Sequence, residues 1–294
     1  MEALKTGKKR SFNTSRAQRL IAKTEFKKLG KMFKGLKLKN LKVAHVLRLV
    51  DRWKSEGLSI GTQKNRMSVV RTVAECDGVE LPKSNLEFGI ENREIDYNTD
   101  KAWMPSKTLQ DGLPSDLQLH VDLMYHFGLR FEEGAKFRVL ENDQRGNPEG
   151  DRIFVDYGPK NGRDRYVPIT TQAQRDLLDR LHVHVKNEGK DSLIPRGEKY
   201  IEWKDRAEYI YRDAGMTKRG VGTCHGLRHA YFQGRYEILT GWVAPAKLTT
   251  EKRKIFRSLM SKELREKDRE VRQILSFEAG HGRYHVTANY VGSW

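Results

Sequence analysis

The sequence predicts a mainly α-helical protein with a small antiparallel β-sheet, an α+β fold in two domains. Apolar residues at helical spacing fill the N-terminal part of the chain, which predicts a first domain made of helices. A turn-rich stretch then interrupts this periodicity, and two short β-branched and aromatic runs follow it on either side of an Asn-Gly turn. With 294 residues, the chain is long enough for two hydrophobic cores.

Three helices are predicted in the N-terminal part. Thr14 offers an N-cap for the first, whose apolar positions continue at helical spacing to Leu29. The second is a strongly apolar helix at 41–57 that stops at a glycine, and the third, at 59–78, begins with capping residues and also ends at a glycine.

Residues 79–107 lose this periodicity and are rich in turn-forming residues. We therefore predict a first domain at 1–86, a linker at 87–103 and a second domain at 104–294. The elements predicted in the second domain are a buried helix at 117–127, strands at 153–157 and 165–169, a helix from Thr170 or Thr171 to Leu181, and helices near 203–214, 228–238, 251–278 and 286–290.

Positive charge is concentrated at the N-terminal end. The formal net charge is +17, and residues 1–40 hold thirteen Lys and Arg against two Glu, which leaves only +6 for the remaining 254 residues. DNA or RNA is the commonest partner for such an end, and a basic surface that only keeps the protein soluble is the alternative. Lys8, Lys9 and Arg10 could enter a minor groove or touch a separate DNA site, or form a disordered counter-charge.

The two cysteines, Cys76 and Cys224, are too few for a disulfide framework or a four-thiolate zinc site. The first ten residues lack the apolar core of a signal peptide, and no stretch is long and apolar enough to span a membrane. We therefore expect a protein of the reducing cytoplasm, with no membrane partner.

The polar face of the third predicted helix carries groups that suit DNA recognition. Its members are Gln63, Lys64, Asn65, Arg66 and Arg71. Amides read base edges and guanidinium groups grip phosphates, so these residues are predicted to bind DNA. Taken without the rest of the chain, the same pattern fits an ordinary solvated helix face.

Four short motifs follow one another in the second domain. They are Gly128-Leu129-Arg130 with Glu133, Lys160 in the turn between the strands, His225-Gly226-Leu227-Arg228-His229, and Gly280-His281 followed nine positions later by Tyr290. Each has a plain interpretation by itself, as an ion pair, a solvated turn lysine or a packing residue. A metal site at Cys224, His225 and His229 is disfavoured because no second Cys/His pair with ligand spacing is present.

Taken together, these motifs resemble the tyrosine recombinase family, which includes phage integrases and Xer recombinases. The order and the spacing match: an arginine box, a lysine on a β-hairpin, a His-x-Leu-Arg-His box, and Gly-His before a tyrosine. The N-terminal helices resemble the core-binding domain of this family, so the resemblance covers residues from about 14 to 292. It implies a two-domain clamp around double-stranded DNA, made of a core-binding domain and a catalytic domain.

The resemblance implies a site-specific recombinase that forms a covalent 3′-phosphotyrosyl intermediate through Tyr290. Phosphoryl transfer depends on positioning and charge stabilisation, so the guanidinium forks of Arg130 and Arg228 suit the phosphate oxygens. The intermediate keeps the bond energy, so neither ATP, a metal nor another cofactor is expected. The other predicted roles are a hydrogen bond to phosphate from His281, proton acceptance by His225, general-acid catalysis by Lys160 and orientation of an arginine or histidine by Glu133.

Two features depart from compact members of the family. His225 and His281 are 56 residues apart, which indicates an insertion near 242–268 that is highly charged and predicted to be helical. Only four residues follow Tyr290, where many members dock a longer segment on a neighbouring protomer; either that segment is absent or assembly uses another surface. The family alone implies a homo-tetramer on two DNA sites, accessory DNA-bending or directionality factors, and association with the nucleoid.

Three other functions stay open from the sequence. The first is a non-catalytic DNA-binding relative, against which the presence of every polar catalytic residue type argues. The second is a type IB topoisomerase-like enzyme, and the separate basic helical domain favours site-specific use over it. The third is a metal-dependent nuclease or transposase, which needs a cluster of acidic ligands that these motifs lack.

Overall fold

The computed structural model describes residues 12–157 and 164–294. The chain divides into two compact units, Met1–Ile95 and Asp96–Trp294. Helices predominate in the described residues of both, and the second unit contains a three-stranded antiparallel sheet, so the predicted α+β class is confirmed. Within the described ranges, no helix combines the length and the apolar character needed to cross a bilayer.

The division between the units lies inside the predicted linker, but much of that stretch is packed. Phe88 and Ile90 are buried in the core of the first unit. Trp103 packs against the core of the second unit, and its Nε1 donates a hydrogen bond to the carbonyl of Thr223 at 2.8 Å. The predicted linker at 87–103 is therefore too long, because apolar side chains anchor both of its ends.

The elements of the first unit are α1 (Phe12–Met32), α2 (Val43–Ser55) and α3 (Ile60–Cys76), with 3-10 turns at Leu38–Asn40 and Leu86–Phe88. The predicted second and third helices are confirmed, and Ser59 caps α3 by accepting a hydrogen bond from the amide of Thr62. The predicted N-cap at Thr14 is wrong, because α1 already begins at Phe12. Apolar faces of the three helices meet in one core around the fully buried Trp53.

The second unit alternates short and long elements. In chain order these are α4 (Lys107–Asp111), α5 (Ser115–Phe127), α6 (Phe131–Lys136), α7 (Val139–Asn142), β1 (Asp143–Gln144), β2 (Arg152–Val155), β3 (Arg165–Pro168), α8 (Gln172–Asn187), α9 (Tyr200–Asp213), α10 (Cys224–Thr240), α11 (Thr250–Leu259), α12 (Lys262–Glu278) and α13 (Ala288–Val291). The predicted helix at 117–127 and the helix capped by Thr171 are confirmed as α5 and α8.

The sheet has the strand order β1-β2-β3, and both pairs are antiparallel. Ile153 faces Val167, and Val155 faces Arg165, in the register of β2 with β3. Because side chains alternate along a strand, these four positions share the inward face of the sheet. An arginine therefore enters the interior beside three aliphatic side chains. The sequence did not predict β1, since two residues are too few to show alternation.

The structure divides the predicted helix at 251–278 into two. α11 ends at Leu259, and Ser261 caps α12 by accepting a hydrogen bond from the amide of Leu264 at 3.3 Å. A serine at this position starts a new helix because its hydroxyl satisfies an amide that would otherwise lack a partner. The predicted helix at 286–290 is a 3-10 turn, Tyr284–Thr287, followed by the short α13.

Two hydrophobic clusters stabilise the second unit. The larger joins α5, α8 and α9 to the sheet. The smaller contains Phe232 and Tyr236 of α10, Leu275 of α12, and Tyr290 and Val291 of α13. α10 contacts α5 as well as α12 and α13, so it connects the two clusters and the motifs that they carry.

Candidate active site

Arg130 lies two residues after Gly128, the glycine that ends α5. Gly128 has φ +61°, and a Cβ at this position would collide with the ring of Tyr231, so the turn requires glycine. The amide of Arg130 donates to Glu133 Oε2 at 2.7 Å, and its Nη1 donates to Oε1 at 2.6 Å. One carboxylate at the start of α6 therefore fixes both the backbone and the guanidinium of Arg130.

Glu133 is fully buried and binds a second arginine that the sequence did not predict. Arg165 of β3 donates from Nη1 and Nη2 to the two carboxylate oxygens at 2.9 and 2.7 Å, and from Nε to the carbonyl of Glu278. Burial alone would raise the pKa of Glu133, but the ion pairs with Arg165, Arg228 and Arg130 lower it to about 2. The signal in the sequence is an arginine on the apolar face of a strand.

Arg228 of α10 is fully buried and directs its guanidinium at three acceptors. Nε donates to the hydroxyl of Tyr290 at 3.1 Å, Nη2 donates to the carbonyl of Ala279 at 2.8 Å, and Nη1 donates to the carbonyl of Gly128. Nη2 of Arg130 also donates to the Ala279 carbonyl, at 2.9 Å. Burial lowers the pKa of Arg228 to about 10, so it is still a cation at neutral pH.

Tyr290 lies on α13 with only 4% of its surface exposed. Its ring packs against those of Phe232 and His229, at centroid distances of 4.8 and 5.2 Å. Its hydroxyl lies 3.1 Å from Arg228 Nε and 3.1 Å from His281 Nε2. The hydroxyl is therefore next to a permanent cation and within hydrogen-bonding distance of an imidazole.

The histidines are arranged differently from the roles that the sequence predicts. His281 reaches the Tyr290 hydroxyl, whereas His225 contacts the Tyr290 ring, with centroids 5.8 Å apart. Burial and the nearby arginines lower the pKa of both His225 and His281 to about 4, so both are neutral at pH 7 and able to accept a proton. In the described residues, no three His, Cys, Asp or Glu side chains are grouped to hold a metal ion.

Several predicted site residues lie outside the described residues. Lys160 belongs to the segment 158–163, between β2 and β3, and Lys8, Lys9 and Arg10 belong to the segment 1–11. The strands that flank Lys160 are described, and the pair formed by Val155 and Arg165 is the last on the turn side.

Two of the DNA contacts predicted on α3 are replaced by internal contacts. Gln63 is buried and donates from Nε2 to the carbonyl of Leu58 at 2.7 Å. Arg71 uses its three guanidinium nitrogens on the Pro82 carbonyl, the Asn85 side chain and the Ser84 carbonyl. These predictions are corrected because the polar groups that would read DNA already bind the protein.

The other three α3 residues differ in exposure. Nη1 of Arg66 lies 2.8 Å from Oε1 of the buried Glu25, which also accepts a hydrogen bond from Trp53 Nε1. Lys64 is half-buried and donates to the side chain of Asn92 at 3.2 Å, while Asn65 is exposed. Asn65 is therefore the most exposed of the five.

We expect Arg71→Ala to lower the free energy of unfolding by about 1–3 kcal/mol, because it removes the three hydrogen bonds that hold the segment 82–85 against α3. Asn65→Ala is the matched control on the same helix, and its effect on stability should lie within about 0.5 kcal/mol. Chemical denaturation measures both values. Equal stability of the two variants would contradict the structural role of Arg71.

The buried carboxylate of Glu133 predicts a pH dependence of stability. Its pKa is lowered from 4.5 to about 2, so its ionised form stabilises the folded state above pH 4.5 and this contribution is lost as the pH falls towards 2. The contribution at neutral pH is roughly 3 kcal/mol. Denaturation of Glu133→Gln and wild type should show this difference at pH 7 and a smaller one at pH 3. Glu132→Gln, at the neighbouring half-buried position where the carboxylate pairs with Lys136, should show no such change.

Two family models match this chain. One, described as phage integrase, N-terminal, matches residues 1–81, and the other, described as integrase, matches residues 101–234. No curated protein sequence matches it.

Solved structures share its fold at low sequence identity. The Tn1549 transposon integrase in complex with transposon right-end DNA is 12% identical, with a TM-score of 0.56, over 99% of this chain and 91% of that chain. The XerH recombinase bound to difH before cleavage is 14% identical, with a TM-score of 0.54, over 95% and 74%. A lambda integrase dimer bound to a COC′ core site is 14% identical, with a TM-score of 0.51, over 90% of each chain.

The family models account for a sequence segment in each of the two units, and the fold of the whole chain agrees with them. The arginines, the histidines and the tyrosine of the motifs meet in the second unit, at the junction of α5, α10, α12 and α13. This chain belongs to the phage integrase family of tyrosine recombinases.

Proposed function

We propose that this integrase cuts and rejoins DNA at a specific site through a 3′-phosphotyrosyl bond to Tyr290. The observation that carries the proposal is the convergence of Arg130 and Arg228 on a single oxygen, the carbonyl of Ala279, at 2.9 and 2.8 Å. A non-bridging phosphate oxygen is the same kind of acceptor with more negative charge, so it competes well for these donors. The hydroxyl of Tyr290 accepts a hydrogen bond from Nε of the same Arg228 at 3.1 Å.

In the proposed step, the Tyr290 oxygen attacks phosphorus, and the bond from phosphorus to the 5′-oxygen of the next nucleotide breaks. The tyrosine proton passes to a neutral imidazole: His281 is within reach of the hydroxyl at 3.1 Å, and His225 is the acceptor that the motif predicts. Lys160 gives a proton to the departing 5′-oxygen. Rejoining reverses the step with the 5′-hydroxyl of another duplex, so no energy-rich cofactor is consumed.

Glu133 acts in this scheme as a positioning residue. A phenol has an ordinary pKa of about 10, so attack is helped by cations that favour the phenolate. Three arginines face the one buried carboxylate of Glu133, and they keep it ionised. Because the carboxylate neutralises only one of the three positive charges, the site has a net positive charge. The site therefore keeps an excess of positive charge for the phosphate while each guanidinium plane is fixed before DNA binds.

The proposed substrate is double-stranded DNA of a mobile element and its target. Support comes from a Tn1549 integrase in complex with a circular intermediate DNA, with a TM-score of 0.58 and 12% identity, and from a lambda integrase tetramer bound to a Holliday junction, with a TM-score of 0.50 and 14% identity. We extend this to a homo-tetramer on two DNA sites, acting in the cytoplasm at the nucleoid with accessory DNA-bending or directionality factors. The residues that stay predicted DNA contacts are Lys8, Lys9, Arg10, Lys64, Asn65 and Arg66.

The direct test traps the covalent complex. Wild-type protein is incubated in EDTA with DNA fragments from the element–host junctions. Each fragment has a nick close to the cleavage position, so the short strand that carries the new 5′-hydroxyl diffuses away and cannot be rejoined. After denaturation in SDS, we expect a retarded, protease-sensitive DNA band, with fragments of unrelated sequence as the control. Peptide mass spectrometry should then find the nucleotide on Tyr290.

Three outcomes would contradict the proposal. They are a strict requirement for a divalent metal, a nucleotide on a residue other than Tyr290, and tight binding to junction DNA without any covalent band. The last would favour a non-catalytic DNA-binding relative.

A further inference from the structure

Gly292 and Trp294 contact the insertion near 242–268, while Ser293 between them donates from its amide to the side chain of Asn98 at 2.9 Å. The ring of Trp294 stacks on that of Phe256 in α11, with centroids 4.6 Å apart and planes 16° apart. Its Nε1 donates to Asp268 Oδ1 at 3.1 Å, and its carbonyl accepts a hydrogen bond from Arg257 Nη1 at 3.0 Å. Stacking and two hydrogen bonds therefore fix this tryptophan to both helices of the insertion.

Gly292 makes a second contact with the same segment. Its φ is +84°, and a Cβ would collide with the backbone nitrogen of Ala246, in the 3-10 turn Pro245–Lys247. Its carbonyl accepts a hydrogen bond from Arg272 Nη1 at 2.9 Å. Two features therefore require glycine at this position: the left-handed backbone conformation and the close approach to the insertion.

Asp268 links these contacts to the helix that carries Arg228. Its carboxylate accepts hydrogen bonds from Arg272 Nε at 2.9 Å, from Trp294 and from the hydroxyl of Tyr236. Tyr236 lies two turns after Arg228 on α10 and shares a hydrophobic cluster with Tyr290. Arg272 is 6% exposed, and its ion pair with the half-buried Asp268 is largely shielded from solvent.

The position of the short α13 depends on contacts with other elements, among them the hydrogen bond that Gln233 Nε2 donates to the Tyr290 carbonyl at 3.1 Å. The helix has four residues and follows a 3-10 turn, so its internal hydrogen bonds cannot define its position well. Gly292 is only two residues beyond Tyr290, and a hydrogen bond at its carbonyl is a direct restraint on α13. Because misplacement of a nucleophile by about 1 Å costs up to roughly 100-fold in rate, such a restraint matters for the reaction.

We propose that Arg272, held by Asp268, is a positioning residue for Tyr290, and that the insertion is the receptor for Gly292 and Trp294 within the same chain. This inference rests on the proposed role of Tyr290 as nucleophile. Arg272 acts through its hydrogen bond to the backbone of Gly292. It does not bind the phosphate, which is the proposed role of Arg130 and Arg228.

A comparison of two nucleophiles, the Tyr290 hydroxyl and hydrogen peroxide, separates an effect on the position of Tyr290 from an effect on phosphate binding. In protein with Tyr290, Arg272→Ala should lower the rate of covalent complex formation on saturating nicked DNA by about 10- to 100-fold. In a Tyr290→Phe background, hydrogen peroxide supplies the attacking oxygen, displaces the same 5′-oxygen and leaves a cleaved strand. There, adding Arg272→Ala should change the rate by less than about twofold, because the arginine pair still holds the phosphate.

Arg269→Ala is the matched control, since it removes an exposed arginine from the same helix and should leave both rates unchanged. Arg272→Lys should recover part of the covalent rate, because an ammonium can still donate to the Gly292 carbonyl. Equal losses with both nucleophiles, or no loss with either, would overturn the proposal. Persistence of the covalent band in Tyr290→Phe alone would instead overturn the proposed function.

Asp268→Asn gives a comparison that does not need peroxide. It keeps the shape of the side chain but removes the charge that holds Arg272, so the covalent rate should fall at least about tenfold more than the affinity for DNA. A loss of DNA affinity and melting temperature that matches the loss in rate would mean that the network only stabilises the fold, which would also overturn the proposal.

Discussion

Replacing Tyr290 by phenylalanine is expected to abolish covalent complex formation, a loss of at least about four orders of magnitude in rate. The attacking oxygen is removed, while the ring keeps its contacts with Phe232 and His229. DNA affinity should stay within about threefold of wild type, because Arg130 still faces the phosphate. Gel retardation measures the affinity, and trapping on nicked DNA measures the rate.

Tyr284→Phe is the matched control for this substitution. Tyr284 is exposed and lies six residues before Tyr290, so loss of its hydroxyl should leave the rate unchanged. Tyr290→Phe should also lower the free energy of unfolding by about 1–3 kcal/mol, because Arg228 Nε loses its acceptor in a buried site. Covalent product from Tyr290→Phe, or its loss in Tyr284→Phe, would show that the nucleophile has been assigned wrongly.

The second large effect is expected for Arg228→Lys, which should slow covalent cleavage by about 10²- to 10³-fold. Lysine keeps the positive charge but cannot reach Tyr290, Ala279 and Gly128 together, as the guanidinium does. The single-turnover rate at saturating nicked DNA reports this loss. The affinity for DNA should fall much less, because the other phosphate contacts remain.

Arg235→Lys is the control for Arg228→Lys, since Arg235 lies on the same helix and pairs with Glu278 instead. It should change the cleavage rate by less than about threefold. If both variants lost activity equally, the effect would come from packing of α10. If Arg228→Lys kept the wild-type rate, the convergence on the Ala279 carbonyl would have no catalytic meaning.

The contacts around Glu133 illustrate how far a sequence can be interpreted. Its spacing from Arg130 predicts a local ion pair, and the structure has that pair at 2.6 Å. Its second partner is Arg165, which is 32 residues away and binds both carboxylate oxygens only because the tertiary fold brings β3 to this site. Gln63 and Arg71 show the opposite error, because a polar helix face does not reveal which of its groups bind the protein itself.

The sequence by itself determined the helical first unit, the strands that flank Lys160 and the set of motifs that meet at Tyr290. These features are local: periodicity, caps and motif spacing are properties of neighbouring residues. Only the tertiary structure decided that the Ala279 carbonyl accepts hydrogen bonds from two arginines, that His281 reaches the Tyr290 hydroxyl, that Arg272 binds Gly292 and that the insertion holds Trp294. Those contacts join segments far apart in the chain, and they depend on how α10, α12 and α13 pack.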